Sequence, residues 1–209
     1  MSHLTSHLKF FWQVFVTLLV ITDPPGTVPF FLGLTAGRTA RERNRLAWQA
    51  ALVAFGVILA FAVFGRSVLA YLGVELPSLQ AAGGLLLLLV ALELLTGRQP
   101  EPSELQTARA NVAFVPLGTP LLAGPGAIVA TMLFVPQVSS IGDTAAFGLA
   151  IVAVAALLWL AMRFSGFVLA VLRDSGVELL TRIAGLLLSA IAVQLIVGAI
   201  RALIKTGLG

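Results

Sequence analysis

The sequence predicts an all-α integral membrane protein with six transmembrane segments. It further predicts two inverted-topology three-span repeats in which spans one and four are broken. Three observations lead there. The first is composition: of 209 residues, 59% are hydrophobic and only 11% charged, whereas a soluble domain carries about 25% charged residues. Such a chain cannot cover itself with polar surface, so the lipid bilayer is its expected solvent. The second is length: a span needs about 20 apolar residues, and six such stretches use up most of the chain, leaving no room for a soluble domain. The third is that short motifs recur, in order, about one hundred residues apart.

Span one is expected over 10–34, interrupted at "DPPG", Asp23 to Gly26. The tail before it has Lys9 as its one fixed positive charge, and no small-residue cleavage site precedes the prolines, so this run reads as a span rather than a cleaved leader. A basic loop, "AGRTARERNR", leads to span two over 46–64. A short loop is expected to hold Tyr71, Glu75 and Pro77 before span three, 79–97. The linker "RQPEPSELQTARAN", 98–111, mixes prolines with alternating charge and divides the protein into 1–97 and 112–209. Span four, 112–135, is broken by Pro116, Pro120, Gly124, Pro125 and Gly126. Spans five and six follow at 145–162 and 179–200.

Lys and Arg near span ends set orientation. With the N-terminus outside, nine of the thirteen basic residues fall on inner loops, so both termini are expected outside. These arginines read as topology signals and imply no nucleic-acid partner. The chain has no cysteine, and its two histidines, His3 and His7, lie in the N-terminal tail. Disulfides, thiolate chemistry and a histidine metal site inside the membrane are thereby excluded, and no cofactor is expected.

The recurring motifs are "DPPG" at 23–26 and "AGPG" at 123–126; "GVEL" at 73–76 and 176–179; "AAGGLLLLL" at 81–89 and "IAGLLLSAI" at 183–191; and "ALELLTG" at 91–97 and "AVQLIVG" at 192–198. Any one pair could be chance among Leu, Ala and Gly. Four pairs in order at nearly constant offset indicate duplication. Three spans per half make the second half enter the membrane from the opposite side, the inverted arrangement of many secondary transporters.

Proline lacks an N–H and clashes with the preceding turn, and the residue before it is pushed toward extended geometry. Asp23 and Pro24 are therefore expected in unwound chain, with Thr27 capping a second half-helix, Val28 at its first position and Pro29 at its second. Gly124, Pro125 and Gly126 are expected to do the same ahead of Ala127, with Thr119 and Pro120 prolonging the unwound part. Unwound backbone is tolerated in a membrane only against protein or water. Half-helix N-termini suit a carboxylate, while exposed carbonyls and Asp23 suit an ammonium group or a coupling cation, a proton or sodium ion. The expected substrate-binding set is Asp23, Pro24, Pro25, Gly26, Thr27, Thr119, Gly124, Pro125 and Gly126, and the ligand a small zwitterion. The blander reading is a pair of kinked helices satisfied by their neighbours.

Of nine acids, Asp23 and Glu93 fall inside spans, and an intramembrane acid is a functional hypothesis by default. Asp23 also suits a helix cap. Glu93 either snorkels toward Arg98 or titrates in coupling or gating; its repeat counterpart, Gln194, cannot titrate. Gly83, Gly84 and Gly185 read as close-packing positions.

Four stretches resemble the MarC-related membrane proteins, whose transport members include the SnatA small neutral amino acid transporters. They are "DPPGTVPFFLGLT" (23–35), "AAGGLLLLLVALELLTG" (81–97), "VPLGTPLLAGPGAI" (115–128) and "TRIAGLLLSAIAVQLIVGAI" (181–200). The resemblance covers nearly the whole chain. It implies a six-span bacterial inner-membrane protein that takes up glycine, alanine and similar amino acids, driven by an ion gradient. Two positions depart from the pattern. Gln80 stands where span three usually has Arg, although Arg182 keeps that Arg in the second half, and Pro25 stands where other residues are common. The alternatives are a channel or exporter for another small polar solute, an intramembrane enzyme using Asp23 and Glu93, and an assembly protein without cargo. An enzyme usually wants a nucleophile, base or metal set within reach, and this chain offers few such groups. Oligomerisation is left open.

Overall fold

The structure, a computed structural model, describes residues 2–97 and 124–206. The linker 98–111 and the first part of span four, with Pro116, Thr119 and Pro120, lie outside the described residues.

The described residues are helical and their core is built from helix faces. The helices are α1 (Ser2–Thr22), α2 (Pro24–Leu34), α3 (Ala40–Leu72), α4 (Leu76–Thr96), α5 (Pro125–Phe134), α6 (Ile141–Arg163) and α7 (Ser165–Thr206), with a 3-10 turn at Val135–Gln137 after α5. Among the described residues, five stretches are long and apolar enough to cross a membrane: Thr5–Pro29, Ala40–Leu72, Leu76–Thr96, Ile141–Arg163 and Ser175–Lys205. A shorter apolar helix, Gly126–Gln137, joins them. This is an integral membrane protein of about six spans, as the composition predicts.

Several boundaries differ from expectation, for local reasons. The second span is a helix of 33 residues, about 50 Å at 1.5 Å per residue, longer than a bilayer core. Its start is carried into the basic loop by a capping box in which Thr39 and Glu42 bond reciprocally. Its end runs past Phe64 through Tyr71 to Gly73, whose φ of 66° closes the helix in the left-handed region. Glu75 and Pro77 are therefore not loop residues: Glu75 is the N-cap of α4 and Pro77 lies in its first turn. The segment between spans five and six is also helical. No proline occurs in 165–206, and α7 is interrupted only at Arg173, with φ 54° and ψ 173°.

The larger core is a seam of small and large residues at helical spacing. Ala47, Ala50, Ala51, Ala54 and Ile58 of α3 meet Phe147, Ala150, Ile151, Val154, Leu158 and Met162 of α6, with α1, α2 and α5 completing the cluster. Alanine lets the helix backbones approach closely where lipid supplies no hydrophobic drive. The second core is the crossing of α4 and α7: Leu87, Ala91, Leu188 and Ala192 are all buried there. A Cβ on Gly84 would meet the Ala192 carbonyl at 2.9 Å, and one on Gly185 would meet the Ala91 carbonyl at 3.1 Å. Gly84 and Gly185 are 101 positions apart, as are Ala91 and Ala192, and each glycine meets the alanine of the opposite half.

The two short helices are embedded by the same exchange. α2, from the first half, packs against α6 and α7; α5, from the second half, packs against α3 and α4.

Candidate functional site

The first break is tighter than predicted. A single residue, Asp23, leaves the helix, with φ 37° and ψ 69°. Aspartate is among the few residues with a side chain that visit this region readily. Pro24 and Pro25 do not prolong the unwinding; they form the first turn of α2, where no N–H is required. Thr27 is consequently not the N-cap, and Pro29 lies inside α2. Asp23 occupies the cap position, but its side chain makes no capping hydrogen bond.

The freed backbone is partly satisfied locally. The Asp23 N–H donates to Leu19 O at 3.1 Å, and the Thr27 N–H to Asp23 O at 3.0 Å. The Thr27 hydroxyl donates to Asp23 O at 3.0 Å and reaches Thr22 O at 3.3 Å. Thr27 is thus occupied in stitching the break. Pro24 and Pro25 cannot donate to Val20 O and Ile21 O, the carbonyls four residues earlier, so these lose their helical partners.

Asp23 itself is 7% exposed, and its Oδ2 has no hydrogen-bond partner. Facing it is Thr181, on α7 in the second half of the chain, whose Oγ1 is likewise buried without a partner. Both press on Gly26: a Cβ there would collide with Asp23 Oδ2 and lie 3.0 Å from Thr181 Oγ1. The carboxyl group sits at the N-terminal end of α2, where the helix dipole favours negative charge. Sequence reasoning missed Thr181. It precedes the arginine of the "TRIAG" motif, and only the fold brings it to Asp23.

The second break is described from Gly124 onward. Gly124 is the N-cap of α5, with φ −59° and ψ 167°, and Pro125 opens the helix, two residues earlier than the expected start at Ala127. The Ala127 and Ile128 N–H groups both reach Gly124 O, at 3.0 and 3.3 Å. Gly126 is buried, and a Cβ on it would strike Leu87 of α4 and lie 3.4 Å from Ile21 Cγ2 of α1. Ile21 is two residues from Asp23, so the structure brings the two breaks together.

The remaining candidates lie elsewhere. Glu93 and Gln194 are exposed on α4 and α7, outside the buried cluster. Among the described residues no three His, Cys, Asp or Glu side chains gather as a metal site. Near the start of α1, His7 Nδ1 lies 2.7 Å from Asp143 Oδ1 at the start of α6, which puts those two ends on the same side of the bundle.

Comparison with known proteins agrees with this architecture. The chain is 38% identical over 199 residues to a UPF0056 membrane protein of Methanocaldococcus jannaschii, covering 93% of this chain and 97% of that one. It is 34% identical to the UPF0056 membrane protein YvbG of Bacillus subtilis, over 90% of this chain and 92% of the relative. It is 32% identical to the UPF0056 inner membrane protein MarC of Salmonella arizonae, over 91% and 94%. No solved structure matches it significantly. The profile of the MarC family integral membrane proteins matches residues 8–204, from ahead of the first break almost to the end of α7, and the protein belongs to that family.

Proposed function

We propose that this protein is a secondary transporter that moves small neutral amino acids, glycine and alanine foremost, across the bacterial inner membrane by alternating access. Transport is coupled to an ion gradient, of protons or sodium. The observation that carries the reading is Asp23 Oδ2: a carboxyl oxygen buried in a membrane protein, without a partner, at the head of a half-helix. An unpaired buried polar group costs free energy, and a bound amine offsets that cost.

The arrangement supports a zwitterionic ligand. The α2 end already carries the Asp23 carboxyl, so the substrate amine belongs there. The α5 end carries no acid, and its N-terminal dipole suits the substrate carboxylate. Gly124 and Gly126 form the head of α5 at that end, and Thr119 is the further hydrogen-bonding side chain expected from the sequence. Thr27 acts on the break itself, and Pro24, Pro25 and Pro125 shape the half-helix ends. The exchange of α2 and α5 between halves, and the Gly84–Ala192 and Gly185–Ala91 contacts, support two inverted repeats, 1–97 and 112–209, that rock about this site. Both termini lie outside in this reading, and the substrate leaves chemically unchanged.

The test is uptake of radiolabelled glycine and alanine into proteoliposomes under imposed proton and sodium gradients. Wild-type protein accumulates both and Asp23→Asn accumulates neither. Absence of protein-dependent uptake under every gradient would end the proposal.

A further inference from the structure

Thr181 has a cheaper partner than the one it faces. A threonine in a helix can turn its hydroxyl to the carbonyl of the preceding turn. Thr35 does so to Phe31 O at 2.7 Å, Thr131 to Ala127 O at 2.7 Å and Thr96 to Leu92 O at 2.8 Å. Thr181 forgoes that bond, and its buried Oγ1 is left beside an equally unpaired Asp23 Oδ2, both against the bare Cα of Gly26. The Thr181 hydroxyl faces the Asp23 carboxyl without closing a hydrogen bond of good geometry, so the two oxygens, one from each half of the chain, keep acceptor capacity that a species with several donors would fill.

We propose that Thr181 and Asp23 together form a seat for a primary ammonium group, closed by Gly26, so that the ligand amine bridges the two halves of the protein. The proposal rests on the transport reading and deepens it by fixing the amine's contacts and its class. A primary ammonium has three N–H donors. Asp23 Oδ2 and Thr181 Oγ1 take two, and the prolines leave the Val20 and Ile21 carbonyls, just ahead of the break, without their helical donors. A hard metal cation wants about six or more oxygens. Among the described residues two unpaired side-chain oxygens are offered here, and the Thr22 and Asp23 carbonyls are already engaged by Thr27. With Gly26 pressed against both oxygens, a second carbon on the nitrogen crowds the seat and removes a donor. The site therefore selects primary over secondary and quaternary amines. Because one ligand oxygen comes from α2's cap and the other from α7, parting the halves breaks the seat.

Two measurements test this. The first is glycine uptake in proteoliposomes with unlabelled glycine, N-methylglycine and trimethylglycine as competitors. The first methyl lowers potency by about tenfold or more, as expected for a site built around donors. Thr181→Val raises KM for glycine by about tenfold with kcat little changed, and Thr181→Ser restores it. Wild-type transport with KM unmoved in Thr181→Val, or equal competition by the methylated series, overturns the seat and leaves the transporter reading standing. The second measurement needs no transport: labelling of Asp23 by dicyclohexylcarbodiimide in isolated membranes, with methylammonium chloride as the probe. Methylammonium protects wild-type Asp23 and Thr181→Ser but not Thr181→Val, and sodium chloride at equal concentration does not protect. Protection by sodium alone, or by neither salt, overturns the proposal whatever the uptake experiment gives.

Discussion

At the head of α2 stands Asp23, buried and with one carboxyl oxygen unpaired; at the head of α5 stands Gly124, which carries no side chain. Both half-helices begin with a proline at the first position, and both press a glycine into the opposite half. Their neighbours differ. Gly26 meets the polar atoms of Asp23 and Thr181, whereas Gly126 meets the aliphatic tips of Leu87 and Ile21. Two similar helix starts thus carry unlike chemistry. A two-fold site would bind two like groups, and an asymmetric one suits a ligand whose ends carry opposite charge.

The sharpest way to break this comparison is to neutralise one end at a time. Asp23→Asn is expected to cut glycine uptake by about a hundredfold or more, the cost of truncating one side of a buried charged contact. Gly124→Ala has a φ of −59°, which any residue adopts, and is expected to keep uptake within about threefold in the same assay. Equal losses at both positions would mean that the breaks are equivalent and that charge at Asp23 does not set the polarity of binding.

The two buried glycines give a smaller contrast. Gly26→Ala drives a methyl into Asp23 Oδ2, with Thr181 Oγ1 at 3.0 Å. Relief requires moving the carboxyl proposed to hold the ligand, so uptake is expected to fall about tenfold and stability by ~1–3 kcal/mol, as for an overpacked site. Gly126→Ala meets the far end of Leu87 instead, a side chain that can turn away or be shortened. Its milder defect is expected to be recovered by adding Leu87→Val, read by thermal unfolding in detergent and by uptake. Failure of Leu87→Val to recover it would mean that backbone approach at Gly126 serves the ligand directly.

How far the residues alone revealed this depends on whether a feature is local. The spans follow from hydropathy, and the break follows from proline chemistry at Pro24 and Pro25, so both are readable. Its width is not: the sequence places Asp23 and Pro24 in unwound chain with the next helix capped at Thr27, yet proline is already shaped for a helix's first turn, and only Asp23 leaves the helix. Thr27 illustrates the same limit, because capping and stitching use one hydroxyl and only geometry distinguishes them. Thr181 shows a deeper one. It is far from Asp23 in the chain and has no charge or periodicity to mark it; its unpaired oxygen exists only once α7 lies against α2. Glu93 is the converse, a conspicuous acid that the fold leaves on the surface.

Where the halves cross, the comparison reverses and symmetry returns. Gly84 and Gly185 face the Ala192 and Ala91 carbonyls at nearly equal notional distances, 2.9 and 3.1 Å. Backbone cannot swing aside as Leu87 can. Gly84→Ala and Gly185→Ala are each expected to destabilise the bundle by about 1–3 kcal/mol, and by similar amounts, in thermal unfolding. A difference well beyond that range would show that the α4–α7 crossing is not the pseudo-symmetric hub of the fold.

The smallest effect is expected at Glu93. Its side chain is exposed on α4 while Asp23 is buried, and its counterpart Gln194 is exposed on α7 as well. A residue on the outer face reaches the ligand only by a change in how α4 packs, and Glu93→Gln preserves shape while removing charge. Uptake and its dependence on an imposed proton gradient are expected to stay within about twofold of wild type, as for substitutions away from buried features. A loss of gradient dependence with binding intact would instead make Glu93 the coupling group, assigning ion coupling to one face of the first half and substrate recognition to the break.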